Sequence, residues 1–441
     1  MRVGRSLPPA VAPIGPRDFF SGICGMCSGG KALERFRSEL KEYFGVKHCF
    51  LVSSGKAAYA LILMALKEMF PNRDDVLIPA FTCYSVPSAV IRAGLTPRLT
   101  DLHADSLDFD FARLSEFLSE ECYPSTLDTR VNGRATGLSD DGFSPNDDQK
   151  LATKRLLAIT PTHLFGVPSD VLKLRRTVQD PDVAIIEDAA QAMGESWENK
   201  KLGTLGDVGF FSLGRGKAFS TVEGGVILTD RDDIAGLLAR SVGSLPRYGL
   251  WRLMSLISRT VGLILFSHPR FFWIPRLMPF LMLGETIFEA NFPILQMSTF
   301  QAGLSEKWRD RLEKMRDTRK RNVKRWVEIL HEIGDQGSSC QHLQRFGLLR
   351  FPIRVRDGDR RRILLRESQN TGAGIMPGYP KSINQLSELG GMSCDDVLPN
   401  AESCAKELVT LPTHTYVTQE DEAVIRRLLS RALAVRESPF A

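Results

Sequence analysis

The chain has 441 residues, 43% of them hydrophobic and 25% charged, a mix that excludes disordered and fibrous classes and leaves room for two domains. Lys plus Arg number 57 against 52 Asp plus Glu, and a net charge of +5 over this length is too mild for a nucleic-acid footprint. The eight cysteines (24, 27, 49, 83, 122, 340, 394, 404) are scattered and do not read as a secreted disulfide framework. Residues 1–30 read as an irregular arm, interrupted by Pro8, Pro9, Pro13 and Pro16, with no secretory signal. A cytoplasmic protein with reduced thiols is expected. KALERFRSELKEYF (31–44) has apolar residues at helical spacing and predicts an amphipathic helix. HCFLVSS (48–54) predicts a strand and GKAAYALILMALKEMF (55–70) a helix. DVLIPA (75–80), TPRLTDL (96–102), LLAITPTHLFG (156–166), VAIIEDAA (183–190), VGFFSL (208–213) and GGVILTD (224–230) read as strands, with a helix at SVPSAVIRAG (85–94). Strands alternating with helices predict a mostly parallel sheet with helices on both faces.

Two segments break this rhythm. Residues 125–150 are polar and read as a solvated loop insertion. Residues 247–285 are apolar, and the part from 250 to 282 carries arginines and three prolines. No run there reaches the roughly 20 apolar residues that a spanning helix needs. Two readings stay open for it. One is peripheral contact with the inner face of a membrane, its arginines reaching headgroups. The other is a helical hairpin packed on a partner subunit or over the active site. A long helix is expected over 298–335, and residues 348–441 read as a short strand and at least two helices. The domains are then an arm at 1–30, a large domain at 31–297 and a long helix with a small α/β domain at 298–441.

Three strand ends could carry chemistry. Ser53-Ser54-Gly55-Lys56 is a small-residue turn opening a helix, and helix N-termini offer free N–H groups to a phosphate. Taken alone it is equally an ordinary strand–helix turn. Ile185-Ile186-Glu187-Asp188 delivers an acid at a strand's carboxyl end, where open α/β sheets bind ligands; a helix cap is the bland alternative. Phe211-Ser212-Leu213-Gly214-Arg215-Gly216-Lys217 ends a strand in a Gly-rich bend and one lysine, which in isolation is more often a surface residue. In combination they are what pyridoxal 5'-phosphate requires: a phosphate cradle, an acid for the ring nitrogen, and an amine that forms an imine. Cys24 and Cys27 have metal-ligand spacing without a second pair, so no metal is expected.

These stretches resemble the DegT/DnrJ/StrS family of pyridoxal-phosphate-dependent sugar aminotransferases, of fold type I. The resemblance runs through VSSGKAA (52–58), DVLIPAFT (75–82), HLFGVPSD (163–170), IIEDAAQAMG (185–194), LGTLGDVGFFSLGRGK (202–217), EGGVILTD (223–230), STFQAGL (298–304) and LPTH (411–414). It implies a fold type I transferase acting as a homodimer. It further implies an amino-acid donor, glutamate or similar, and a nucleotide-linked keto-sugar acceptor. Lys217 matches the Schiff-base lysine, Asp188 the acid on the ring nitrogen, Gln191 a residue beside the ring, and Ser212 with the Gly55-Lys56 turn the phosphate contacts. His414 matches a histidine near the active site; His163 and Arg215 are further substrate candidates. Family dehydratases replace the lysine with histidine, so Lys217 favours transfer. A membrane-associated scaffold with a decayed site is the rival of another class.

The sequence also departs from the family. Cys83 stands where relatives often carry an aromatic that stacks on the cofactor, so either Tyr84, which follows it, swings in to contact the cofactor or the ring is stacked differently. Ile294 stands where relatives place an asparagine that reaches the partner's phosphate, with Asn291 out of register. Both departures, and the 247–285 insertion, point to a divergent branch.

Overall fold

A computed structural model describes residues 4–119, 155–277, 286–334, 339–389 and 397–433. The polar insertion at 125–150 and the end of the apolar one, 278–285, lie outside those residues. The strands in chain order are β1 His48–Val52, β2 Asp75–Pro79, β3 Thr96–Thr100, β4 Leu156–Ile159, β5 Ala184–Asp188, a two-residue pair β6 Ser196–Trp197 and β7 Lys200–Lys201, then β8 Val208–Ser212 and β9 Gly225–Thr229. Seven of them form one sheet in the order β1-β9-β8-β5-β4-β2-β3. The pairs from β8 to β3 are parallel, while β8–β9 and β9–β1 are antiparallel. Two antiparallel steps cancel, so β1, β8, β5 and β4 all end at the same edge. Ligands of open α/β sheets bind at that edge.

Each central strand is buried on both faces. Ile78, Ile186, Phe210 and Ile227 pack with helices Gly55–Met69, Ser85–Arg92 and Asp232–Ser244. Leu77, Ile159 and Ile185 point the other way, onto Leu114 and Leu174. Phe211, Val226 and Leu228 meet Phe36, Leu40, Trp308 and Leu312. Burial on two faces explains why these strands read as continuous apolar runs rather than alternations. A second sheet, β10 Arg350–Arg354, β11 Met376–Pro377 and β12 Leu408–Pro412, is antiparallel in the order β10-β12-β11. Trp326, Leu364, Ile425 and Leu429 cover it from helices Trp308–Glu332, Gly358–Thr371 and Gln419–Leu433.

Two expectations are corrected. The arm contains a helix, Pro16–Met26. Pro16 fits the first helical turn, where its missing N–H costs nothing, and Asp18 accepts the Gly15 N–H at 2.7 Å. Its glycines allow close approach rather than disorder: a Cβ at Gly25 would stand 2.8 Å from the Cα of Gly303. The stretch 298–335 is two helices, Thr299–Leu304 and Trp308–Glu332, parted where Lys307 turns left-handed at φ 54°.

The end of β5 organises its surroundings through Glu187, which is fully buried. One carboxylate oxygen accepts the Gly203 N–H and the other those of Leu205 and Gly206, at 2.7 and 3.1 Å. His163 Nε2 lies 2.7 Å from the same carboxylate. Removing this acceptor strands several buried donors at about 1–3 kcal/mol each. Glu187→Ala is therefore expected to destabilise the fold by at least about 3 kcal/mol in urea titration at neutral pH; a loss below about 1 kcal/mol would contradict this role.

Candidate active site

The lysine turn follows β8. Ser212 Oγ accepts the Gly214 N–H at 3.3 Å, and the Thr221 N–H closes the loop on the Leu213 carbonyl at 3.0 Å. Gly216 adopts a left-handed φ of 68°, and a Cβ there would press on the Ala10 carbonyl at 3.2 Å. Arg319, from helix Trp308–Glu332, donates through both terminal nitrogens to the Ala218 carbonyl at 3.0 Å, and one of them reaches the Lys217 carbonyl at 3.4 Å. Burial pushes the Arg319 guanidinium down to about 10, against the pull of Glu195. The backbone of Lys217 is thus held from behind. Its amine makes no hydrogen bond or ion pair with any described residue.

The acid and the helix turn come to the same edge. Asp188 is buried; its Oδ1 accepts the Ala190 N–H at 3.0 Å. Burial raises its carboxyl above the ordinary range, opposed by that N–H and by the charge of Lys217. Val52 and Ser212 both pair with Gly225, so β1 and β8 end level with each other on either side of β9. Gly55 then lies against Ser212: a Cβ at 55 would meet the Ser212 Cβ at 2.7 Å. Ser54 caps the helix, its Oγ taking the Ala57 N–H at 3.1 Å and its carbonyl that of Ala58 at 2.9 Å. The N–H groups of Gly55 and Lys56 have no acceptor within the helix.

The other sequence-predicted residues divide. Lys217, Gln191 and Arg215 line one cavity of about 540 Å³, together with Cys83. The Lys56 amine turns away to Glu289 at 2.9 Å, so only its backbone N–H serves the turn. Tyr84 faces the chain at Lys381, its hydroxyl accepting that N–H at 2.9 Å and donating to that carbonyl at 3.1 Å. His163 is fully buried; Nδ1 accepts the Ser169 N–H at 3.0 Å, so Nε2 donates to Glu187. Neither of its nitrogens is free for a substrate. His414 is buried as well, donating from Nε2 to the Pro8 carbonyl at 2.7 Å and accepting the Tyr416 N–H at 3.2 Å. It pins the arm instead of lining the cavity. Ile294 packs on the main core, and Asn291 is exposed.

Sequence reasoning missed Tyr379 and the arm, while the placement of the apolar insertion over the site was one of its two open readings. Tyr379, from the segment between β11 and β12, lines the cavity beside Cys83, stacks on Phe165 at 6.1 Å and accepts a hydrogen bond from Gln191 at 3.2 Å. The Gly-Tyr-Pro turn around it was the available signal. The arm residues Pro8, Ala10 and Val11 roof the cavity, and Arg259, Leu263 and Phe266 of helix Leu250–Phe266 wall it.

The family model for the DegT/DnrJ/EryC1/StrS aminotransferases matches residues 24–122, 143–260 and 286–429. The chain belongs to that aminotransferase family. A GDP-perosamine synthase of Caulobacter vibrioides is 25% identical over 89% of this chain and 88% of its own length. A GDP-4-keto-6-deoxy-D-mannose 3-dehydratase of Yersinia pseudotuberculosis is 26% identical over 48% of this chain and 47% of its own. The Helicobacter pylori aminotransferase PseC shares the fold at a TM-score of 0.70 and 15% identity, covering 98% of this chain and all of that one. The aminotransferase is therefore a fold type I enzyme dependent on pyridoxal phosphate. Its residues fit that group: the unclaimed N–H groups of the Gly55-Lys56 turn packed against Ser212, the buried carboxylate of Asp188, and a lysine without a partner among the described residues.

The arm's anchor makes the aminotransferase sensitive to acid. Burial lowers His414 to about 4, so the fold prefers its neutral form. Protonation would set an Nδ1 proton against the Tyr416 N–H. The stabilisation, on the order of 3 kcal/mol, is full above pH 6.5 and is lost as pH falls toward 4. The melting temperature is expected to drop across that window, and His414→Gln is expected to flatten the slope. An identical pH profile in the variant would show that another group titrates.

Proposed function

We propose that this aminotransferase moves an amino group from an amino-acid donor, glutamate or similar, to a keto group on a nucleotide-linked sugar. The names of the relatives above support the acceptor class. The observation that carries the reading is the unpartnered Lys217 amine, facing a cavity with Gln191 and lying within the field of Asp188. Asp188 would hold the ring nitrogen in its protonated form. The N–H groups of Gly55 and Lys56, with the Ser212 hydroxyl, would hold the phosphate. Tyr379 would supply the aromatic ring missing at Cys83. Lys217 would hold pyridoxal phosphate at rest, and once the substrate amine displaces that lysine the group would supply an electron sink for the carbon that loses its proton. Lys217 carries that proton, and the roof of arm residues keeps water out. The dehydratase alternative is disfavoured because a lysine occupies the position.

The test is spectroscopic. Wild type should bind pyridoxal phosphate with a visible band that an amino donor bleaches, and Lys217→Ala should lack that response. Asp188→Asn should keep the fold and the cofactor but lose at least about one to two decades of turnover, the worth of one charge-assisted hydrogen bond. Near-normal turnover in Asp188→Asn would sink the assignment.

We further propose a cytoplasmic homodimer whose contact includes helix Leu250–Phe266, with each site set between a large domain at 31–297 and a small one at 298–441. Leu253, Leu256 and Ile257 of that helix pack inward near Ile14 and Phe300, while Leu250 (72%), Trp251 (87%), Met254 (52%) and Leu265 (54%) are exposed on its other side. An apolar face of this kind marks a contact surface. Replacing Trp251 and Met254 with Glu should shift the protein to monomer in sedimentation. A variant that stays dimeric but leaves anionic vesicles, which the wild type binds, would instead favour peripheral membrane contact.

A further inference from the structure

Arg350 opens β10, and its side chain lines the cavity with Lys217, Gln191 and Tyr379. It makes no hydrogen bond or ion pair with any described residue, and its Nε is buried without a partner. The neighbouring cations differ. Arg259 is answered by Glu223 at 3.1 Å, and Arg215 lies in the field of the same carboxylate. No Asp or Glu is among the described residues lining the cavity. Burial pushes the Arg350 guanidinium down to about 10, which still leaves it charged at neutral pH. A cation taken out of water with nothing opposite it is costly, and a fold tolerates one chiefly where a ligand completes it.

Two features narrow the ligand. A guanidinium presents paired N–H donors that match the two oxygens of a carboxylate. The position is also specific. Leu349, the residue before Arg350, donates its N–H to the Phe165 carbonyl at 2.9 Å. A Cβ at Gly166 would stand 3.3 Å from the Leu349 nitrogen and 3.2 Å from the Gln191 carbonyl. Arg350 therefore belongs to the end of the cavity nearest Gln191, whereas Arg215 and Arg259 stand at the wall near Glu223.

We propose that Arg350 is the receptor for a carboxylate of the amino-acid substrate, fixing the donor beside Lys217. The inference rests on the aminotransferase reading and names the site within it. Arg215 and Arg259, which share the field of Glu223, are left for the phosphates of the larger substrate.

The test uses the cofactor-loaded protein as wild type, Arg350→Lys and Arg350→Met. Each is titrated calorimetrically with maleate, an unreactive dicarboxylate, and separately with a nucleoside diphosphate. Arg350→Met is expected to weaken maleate binding by about tenfold or more, with Arg350→Lys in between and the diphosphate unchanged. The visible band of bound pyridoxal phosphate should be the same in all three. Arg350→Met should also melt no lower than wild type, since it removes a partly buried charge that no described residue answers; a purely structural arginine would give the opposite sign. Unchanged maleate affinity overturns the proposal, and so does an equal loss for the diphosphate, which would assign Arg350 to phosphate. Absence of the visible band in wild type would sink the aminotransferase reading instead, and the maleate titration would still decide Arg350.

Discussion

The whole site depends on how β5 ends. Two acids in succession on a strand must point to opposite faces, because the side-chain period is two. Asp188 shares the face of Ile186, toward helix Gly55–Met69, while Glu187 shares that of Ile185. One carboxylate is therefore spent entirely on structure. Glu187 gathers the 203–206 loop and His163 into a closed set of hydrogen bonds. That set fixes the strand end from which Asp188 projects. A slip of one residue would exchange the two roles and lose both. The same parity disposes of His163: it belongs to the structural carboxylate, although the Asp188 carbonyl accepts its backbone N–H at 3.0 Å.

A single helix then joins the chemistry to the second sheet. Arg319, Asn322 and Trp326 recur at the spacing of one helix face. Arg319 holds the Lys217–Ala218 backbone. Asn322 donates to the carbonyls of Thr413 and His414 at 2.8 and 3.1 Å, and Trp326 to that of Pro412 at 2.9 Å. The lysine turn and the end of β12 are thus tied to one rigid rod. Arg319 could be rigidly placed only by being buried, and its lowered pKa is the mark of that burial.

Legibility in the sequence followed a physical divide. The strands, the helix turn at Gly55 and the lysine bend were readable because each is local: apolar runs buried on both faces, small residues at a turn, glycines where the backbone bends. Contacts of long sequence separation were not. Tyr379 meets Gln191 across 188 positions, and His414 meets Pro8 across 406. Nothing near either residue announces its partner. Arg319 was hidden for another reason: it sits among many other Lys and Arg residues in its helix, and only burial distinguishes it. The arm misled because proline and glycine serve helix starts and close packing as readily as they serve loops.

The cavity has two halves of different origin. Its inner half comes from the turns after β5 and β8, which carry Gln191 and Lys217, from Arg350 of β10 and from Tyr379 of the segment between β11 and β12. Its outer half comes from the arm at 7–14 and from the apolar insertion, joined where the Ser6 N–H meets the Pro269 carbonyl at 2.9 Å. The arm is also clamped to the small sheet's side by Arg5, whose Nε reaches Asp421 at 3.2 Å, and by His414. The roof therefore bridges the insertion and the C-terminal region. Any substrate that enters must part these contacts or thread beside them. That outer half lies largely outside the stretches matched by the family model, residues 24–122, 143–260 and 286–429, whereas the strand ends and their chemistry lie within them.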